Sequence, residues 1–188
     1  KIRDVLLATL SDLASGRNNR NKTQPDIVIV SPWIRDVPLP VVASSPFASE
    51  IPFHFLPPTN HLSDILSSLR KAEAWIRVIT LPGQRFRTDL GKSINELSNE
   101  ATLLSKLKSP GCQVETLTGI HAKIIATRNG SIIGSANLTY RGLYMSRELG
   151  FLLAGHPTNI SNIGLENFLP DLLSGTQDWF PPKQLSSH

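Results

Sequence analysis

Hydrophobic and polar residues follow two different periods along the chain, and these periods predict strands and helices in alternation. Short stretches that are almost continuously apolar predict buried strands at residues 26–34, 74–81 and 148–153. Apolar positions three and four residues apart predict helices at residues 2–13, 61–74, 89–107 and 158–173, the last interrupted at Pro170. Weaker patterns indicate strands at 53–56 and 112–117, the latter at a sheet edge, and a short helix or turn at 138–144. This alternation predicts an α/β fold, a mixed β-sheet flanked by helices on both faces.

Length and composition indicate one soluble domain. A chain of 188 residues can form one substantial core and is short for two. We therefore expect a single domain over residues 1–188, with its core at about 22–175, a helical N-terminal segment and a peripheral tail from residue 174. No apolar run reaches the ~18 residues of a membrane-spanning helix. Residues 1–16 lack the apolar core of a secretion signal, and the lone Cys112 suits a reducing compartment, so a cytoplasmic location is expected.

The segment from Gly119 to Gly150 carries most of the chemistry of the chain. Residues 120–126 alternate as a strand does, which places the imidazole of His121 and the ammonium of Lys123 on one face. Gly134-Ser135-Ala136-Asn137 follows after a turn and adds a hydroxyl and an amide. Together these groups suit the binding of an anion.

The turn between the two halves of this hairpin decides which side chains meet. A two-residue turn at Asn129-Gly130 would place Ser135 and Asn137 on the face opposite His121 and Lys123. A three-residue loop over residues 128–130 would instead pair Thr127 with Ser131 and bring all four side chains to one face. We favour the three-residue loop, because Gly130 would supply the positive φ that it needs.

The spacing His-x-Lys, with Gly-Ser-x-Asn beginning eleven residues after Lys123, resembles the active-site motif of the phospholipase D superfamily. Residues 147–150 resemble the downstream part of that motif in the prokaryotic nucleases. Two features depart from the family pattern. Arg128 stands where the family usually has Asp, and the spacing from His121 to Asn137 is one residue shorter than usual. Because Arg128 falls in the predicted turn, we interpret the loss of the Asp as a remodelled hairpin tip.

The resemblance implies a metal-independent phosphodiesterase, foremost a nuclease that hydrolyses DNA through a phosphohistidine. In that mechanism His121 attacks phosphorus, Lys123 and Asn137 hold the non-bridging oxygens, Ser135 supports the phosphate pocket, and Glu148 orients His121. No cofactor is implied. No carboxylate or second His lies near His121 at metal-ligand spacing, so no metal site is predicted.

Partners follow from the motif and, more weakly, from charge. The superfamily mechanism uses two His-x-Lys motifs and this chain has one, which predicts a twofold-symmetric homodimer that completes the site. Apolar faces that the monomer core does not use would form the contact, with Leu143 and Tyr144 as candidates. The net charge of +4 is compatible with DNA as a partner. Arg85 and Arg87 are the candidate substrate-binding residues.

Two other functions remain open from the sequence. One is a phospholipid or small phosphodiester hydrolase, against which the basic charge and the lack of an amphipathic membrane-binding stretch both count. The other is a catalytically decayed DNA-binding subunit of a restriction or phage-defence complex, which Arg128 in place of Asp favours.

Overall fold

The computed structural model describes residues 25–39, 61–82, 94–127, 130–154, 171–172 and 174–180. Its strands are β1 (Ile27–Val30), β2 (Ile76–Thr80), β3 (Gln113–Thr116), β4 (Ile124–Thr127), β5 (Gly130–Gly134), β6 (Gly150–Ala154) and β7 (Gln177–Asp178). Its longer helices are α1 (Leu62–Lys71) and α2 (Ile94–Lys108), and a π-helical turn spans Arg141–Met145.

The described strands form one mixed sheet in the order β6-β5-β4-β1-β2-β3-β7. Strands β1, β2 and β3 run parallel, whereas β4, β5, β6 and β7 pair antiparallel with their neighbours. The predicted α/β fold with a mixed sheet is therefore confirmed. The central strand β1 is buried along its whole length, as its uninterrupted apolar sequence predicts.

The two longer helices, α1 and α2, pack on one face of the sheet. In α1 the predicted apolar stripe is buried in full, at Leu62, Ile65, Leu66 and Leu69. Leucines of α2 join the same cluster, together with the strand residues that face it. The opposite face has a smaller cluster, in which Leu172, from a helical stretch, packs against residues of β1, β2 and β4. Burial of the apolar stripe stabilises α1 far more than intrinsic helix propensity does.

The predicted position of β3 at a sheet edge is wrong. Strand β7 pairs with it, with Glu115 opposite Asp178. Trp179 follows β7 and is buried in the core, with 5% of its surface exposed. Its main-chain N–H donates to the main-chain oxygen of Val114 at 2.9 Å. The tail that was predicted to be peripheral thus covers β3, because an apolar tryptophan and an open strand edge both gain from the pairing.

Several predicted elements lie outside the described residues. These are the helix at 2–13, the strand at 53–56, the start of the helix at 89–107 and most of the helix at 158–173. Within the described part of the chain, none of the helices combines the length and the hydrophobicity that crossing a bilayer requires.

Candidate active site

The hairpin that carries the motif has a register that differs from the predicted one. Thr127 pairs with Gly130, and Ile124 pairs with Ile133, so the strands are joined by two residues, 128 and 129, which lie outside the described ranges. The predicted three-residue loop is therefore wrong. The ladder continues one step beyond β4, where the N–H of Gly134 donates to the oxygen of Lys123 at 3.2 Å. Lys123 thus stands opposite Gly134, not opposite Ser135.

The candidate residues still converge, because all of them lie outside strands β4 and β5. Strand β4 begins at Ile124, after His121 and Lys123, and β5 ends at Gly134, where the chain bends at Ser135. The alternation of side chains between two faces holds only inside a strand, so it no longer dictates where these groups point. The approach to β4 is fixed by Gly119, at φ 75°, and by the buried Ile120.

His121 and Lys123 are in direct contact, which confirms that their side chains point the same way. The Nζ atom of Lys123 lies 3.3 Å from Nε2 and 3.4 Å from Nδ1 of His121. Nζ also donates to the main-chain oxygen of His121 at 2.8 Å, which holds the ammonium beside the exposed imidazole. One positive charge therefore stands next to a ring nitrogen, the arrangement that an incoming phosphate oxygen needs.

Ser135 and Glu148 form the second half of the cluster. The hydroxyl of Ser135 donates to the Glu148 carboxylate and accepts from the N–H of Leu149 at 3.1 Å. The N–H of Ser135 donates to the oxygen of Leu149 at 2.9 Å. The resemblance implies that Glu148 orients His121, whereas in the structure its hydrogen bond goes to Ser135. These hydrogen bonds connect the bend after β5 with the residues that precede β6.

The two halves meet electrostatically at Lys123. Burial lowers the pKa of Lys123 below its ordinary value of 10.5, and the negative charge of Glu148 opposes that shift. Lys123 also lines a hollow with Gly134, Ala136, Leu138 and Gly150. Direct contacts thus join His121 to Lys123 and Ser135 to Glu148, and the charge of Glu148 acts on Lys123.

Asn137 is placed by the central strand of the sheet. The residue after it, Leu138, donates its N–H to Oγ of Ser31 at 3.0 Å and accepts from the N–H of Arg35 at 2.8 Å. Ser31 follows β1 directly, so the segment with Asn137 lies at the carboxyl end of that strand, where open α/β sheets bind ligands. The Oδ1 atom of Asn137 is buried, and within the described residues it has no hydrogen-bond partner.

Sequence reasoning missed two residues that support this site. Ser31 is 1% exposed and connects β1 with Leu138, while also donating to the oxygen of Trp33 at 2.7 Å. Gly142 lies so close to Asn137 that a side chain there would collide with its main chain. A polar residue at the carboxyl end of a buried strand was a usable signal for Ser31. No sequence signal marked Gly142, because its close approach to Asn137 depends on the irregular backbone path between the two residues.

The remaining predicted residues are not described. Arg85, Arg87 and Arg128 lie outside the described ranges. Among the residues that the structure does describe, no three side chains of the His, Cys, Asp or Glu type come together as a set of metal ligands.

Comparison with known proteins places the motif in a family. A family model described as "Cardiolipin synthase, PLD-like domain" matches residues 50–163, more than half of the chain. The chain belongs to the phospholipase D superfamily. Within residues 50–163 lie the hairpin, the bend at Ser135 and Glu148, so the match covers the whole candidate cluster. Comparison with curated protein sequences finds no match.

Solved structures share the fold of this phospholipase D-like chain at low sequence identity. Nuc from Salmonella typhimurium, a phospholipase D family member, aligns with a TM-score of 0.56 and 14% identity over 93% of this chain and 89% of that one. NucT from Helicobacter pylori aligns with a TM-score of 0.55 and 13% identity over 94% and 92%. Polyphosphate kinase from Porphyromonas gingivalis aligns at 0.53 and 13% over 96% of this chain and 25% of that chain.

Proposed function

We propose that this chain is a metal-independent phosphodiesterase that hydrolyses DNA, with His121 as its nucleophile. The observation that carries the proposal is the contact between His121 and the ammonium of Lys123, in a cluster completed by Ser135 and Glu148. Similarity in fold to Nuc and NucT over nearly their whole lengths supports the choice of a nuclease. The net charge of +4 is consistent with a polyanionic substrate.

In the proposed reaction, a ring nitrogen of His121 forms a bond to phosphorus while the bond from phosphorus to the leaving oxygen breaks. The leaving oxygen takes a proton from a second imidazole, which acts as a general acid. Water then attacks phosphorus, the bond to His121 breaks, and the proton of the water returns to the second imidazole. Lys123 and Asn137 hold the non-bridging oxygens and stabilise the charge of the transition state.

The second imidazole is proposed to come from another copy of the chain, because the sequence contains one His-x-Lys motif. Of the two residues predicted for the dimer contact, Leu143 is turned into the core and Tyr144 is partly buried. Tyr144 packs against the main cluster and donates its hydroxyl to the oxygen of Pro38. Exposed apolar side chains do flank Glu148, at Met145, Leu149 and Phe151. We propose these three as the contact, which would bring the two copies of His121 together across a twofold axis.

Cleavage by the purified chain tests the activity. Supercoiled plasmid should be nicked or linearised by the wild-type chain and left intact by His121→Ala, and an excess of chelator should not change the wild-type rate. Loss of cleavage in EDTA that Mg²⁺ restores would contradict the metal-independent mechanism. DNA binding without cleavage would indicate a decayed site, and preferred hydrolysis of phospholipid vesicles would indicate a lipid substrate instead.

Mixing experiments test the dimer. Sedimentation of the wild-type chain at micromolar concentration should give twice the mass of one chain. An excess of His121→Ala chain should suppress wild-type activity, because each mixed dimer has one of the two required imidazoles. Activity that stays proportional to the wild-type chain added, with monomeric sedimentation, would contradict the shared site.

Arg85 and Arg87 are proposed to contact phosphates of the bound DNA. Each neutralised phosphate contributes about 0.9 to the slope of log K against log salt concentration. Replacing both arginines by alanine should therefore reduce that slope by roughly two. An unchanged slope would remove them from the binding surface.

A further inference from the structure

The segment directly after the candidate site presents an aromatic ring to solvent. Tyr140 is 53% exposed, and its ring stacks on that of Tyr144 with the centroids 4.9 Å apart and an angle of 16° between the planes. A pair of stacked rings with its outer member exposed offers a flat apolar surface of the size of a nucleobase.

The inner ring of this pair is held firmly in the fold. Tyr144 packs against the main hydrophobic cluster, and its hydroxyl donates to the oxygen of Pro38. Leu143, the residue before it, is buried. Two hydrogen bonds from the π-helical turn end on Thr139, from the N–H of Gly142 to Oγ1 at 3.1 Å and from the N–H of Leu143 to the main-chain oxygen at 3.0 Å. Tyr140 therefore rests on a fixed support, which reduces the entropy lost when a ligand stacks on it.

The platform is also tied to the candidate site. Tyr140 follows Asn137 by three residues, a separation of at most about 11 Å along the chain. The N–H of Thr139 donates to the oxygen of Asn137 at 2.8 Å, and Gly142 packs against that same oxygen. A base stacked on Tyr140 would thus lie close to a phosphate held by Asn137.

Charge around the platform favours a nucleic acid. Arg141 and Arg147 are both exposed, and no acidic residue lies between Thr139 and Arg147. A small phosphodiester or a lipid headgroup would use the arginines but would leave the aromatic surface without a partner. A base can stack on a side chain in this way only when it is not paired and stacked within a duplex.

We propose that Tyr140, supported by Tyr144, is a stacking platform for one unpaired nucleobase beside the scissile phosphate. The substrate class that follows is single-stranded DNA, or unpaired regions and ends of duplex DNA. This inference rests on the proposed function in its choice of substrate, but it concerns binding and is measurable without any cleavage.

Fluorescence anisotropy with a labelled single-stranded oligonucleotide tests the platform directly. Tyr140→Ala should weaken binding by about 5- to 150-fold, the range that corresponds to loss of one stacked base. Tyr140→Phe keeps the ring and should bind within about twofold of the wild type. Phe180→Ala is the matched control, because it removes an exposed aromatic ring beyond β7, at the opposite edge of the sheet from β6, and it should leave this affinity unchanged.

A second set of oligonucleotides, each with one base removed to leave an abasic sugar, makes the test specific. One abasic position should weaken binding to the wild-type chain as much as Tyr140→Ala does, and should add no further loss in that variant. If the loss of affinity from Tyr140→Ala and the loss from the abasic position are additive, Tyr140 does not contact the missing base.

Failure of the platform and failure of the nuclease are distinguishable. Unchanged single-strand binding by Tyr140→Ala overturns the platform while leaving cleavage by the wild-type chain untouched. Conversely, specific loss of binding in Tyr140→Ala, in a chain that never cleaves DNA, retains the platform and removes the enzyme. If Tyr140→Ala instead converts a dimer to a monomer on sedimentation, the ring is an interface residue and the platform is overturned.

Discussion

A Cβ atom on Gly142 would lie 2.4 Å from the main-chain oxygen of Asn137, and 3.1 Å from its main-chain nitrogen. A Cβ atom essentially never lies 2.4 Å from a main-chain oxygen, so a side chain at position 142 would displace either the π-helical turn or Asn137. The close approach explains why glycine occupies this position without any need for an unusual φ angle. It also links the proposed base platform on one side of the turn to the proposed phosphate ligand on the other.

Gly142→Ala should therefore impair catalysis through Asn137. When a side chain that holds the reacting group moves by even about 1 Å, the rate can fall roughly 100-fold. We expect kcat for DNA cleavage to fall at least about tenfold, with a loss of about 1–3 kcal/mol in the free energy of unfolding. Gly175→Ala is the matched control, because a Cβ atom there meets only the end of the Leu117 side chain, at 3.2 Å, and the oxygen of Leu172, at 3.9 Å. A Gly142→Ala variant with wild-type kcat would show that Asn137 tolerates displacement or takes no part in the reaction.

Ser31→Ala should destabilise the fold and reduce activity together. The substitution removes the acceptor of the buried Leu138 N–H, and an unsatisfied buried donor costs about 1–3 kcal/mol. Urea denaturation should show that loss, and kcat should fall because Leu138 fixes the neighbouring Asn137. Ser105→Ala, on the exposed side of α2, serves as control and should be neutral or slightly stabilising because alanine favours helix. Equal stability of Ser31→Ala and wild type would contradict this role of the hydroxyl.

Asn137→Ala, unlike Ser31→Ala, is not expected to destabilise the fold. Burying a polar atom that has no partner is unfavourable, and Oδ1 of Asn137 is such an atom within the described part of the chain. Removing the amide should leave the free energy of unfolding unchanged or raise it, while kcat falls by about 10²–10³, as for loss of a transition-state donor. A marked loss of stability, measured by the same urea titration, would identify Asn137 as a structural residue.

The Lys123–Glu148 pair predicts a pH effect with a defined direction. Burial already lowers the pKa of Lys123 below 10.5, and Glu148 opposes the shift, so Glu148→Gln should lower this pKa further. Since the proposed mechanism requires the ammonium form, the alkaline limb of the activity profile should move to lower pH in the variant. NMR titration of the Lys123 side chain measures the shift directly, and an unchanged or raised pKa would contradict the coupling.

The same pair affects stability. Between the folded-state pKa of Lys123 and 10.5, the unfolded chain binds more protons than the folded chain, so the contribution of Lys123 to the free energy of unfolding rises with pH. That contribution is largest above 10.5 and is lost as the pH falls through the folded-state pKa. Because Glu148→Gln should lower the folded-state pKa of Lys123, the pH range over which stability rises should extend to lower pH. Comparison with Lys123→Met in urea titrations, from about pH 8 to about pH 11, isolates the effect of Lys123.

Local patterns were sufficient for most of the elements that the structure describes. The buried strand β1 and the apolar stripe of α1 follow from short-range periodicity, which depends only on the geometry of one strand or one helix. The contact of His121 with Lys123 agrees with the alternation predicted for residues 120–126, but both residues lie before β4, and the ammonium is held there by the main-chain oxygen of His121. The pairing of β3 with β7 was not predictable, because a two-residue strand has no period to read and its partner lies some sixty positions away.

The sequence by itself determined the fold class, the family and the identity of the groups at the candidate site. Tertiary structure alone decided how those groups meet. The register of the hairpin depends on the length of its turn, and a shift of one residue moves every side chain of a strand to the other face of the sheet. Ser135 forms a hydrogen bond with Glu148, thirteen residues away, and Ser31 fixes the residue next to Asn137 across more than a hundred positions. Local propensity specifies each segment, but contacts between segments are set by packing of the whole core, and no window of sequence contains them.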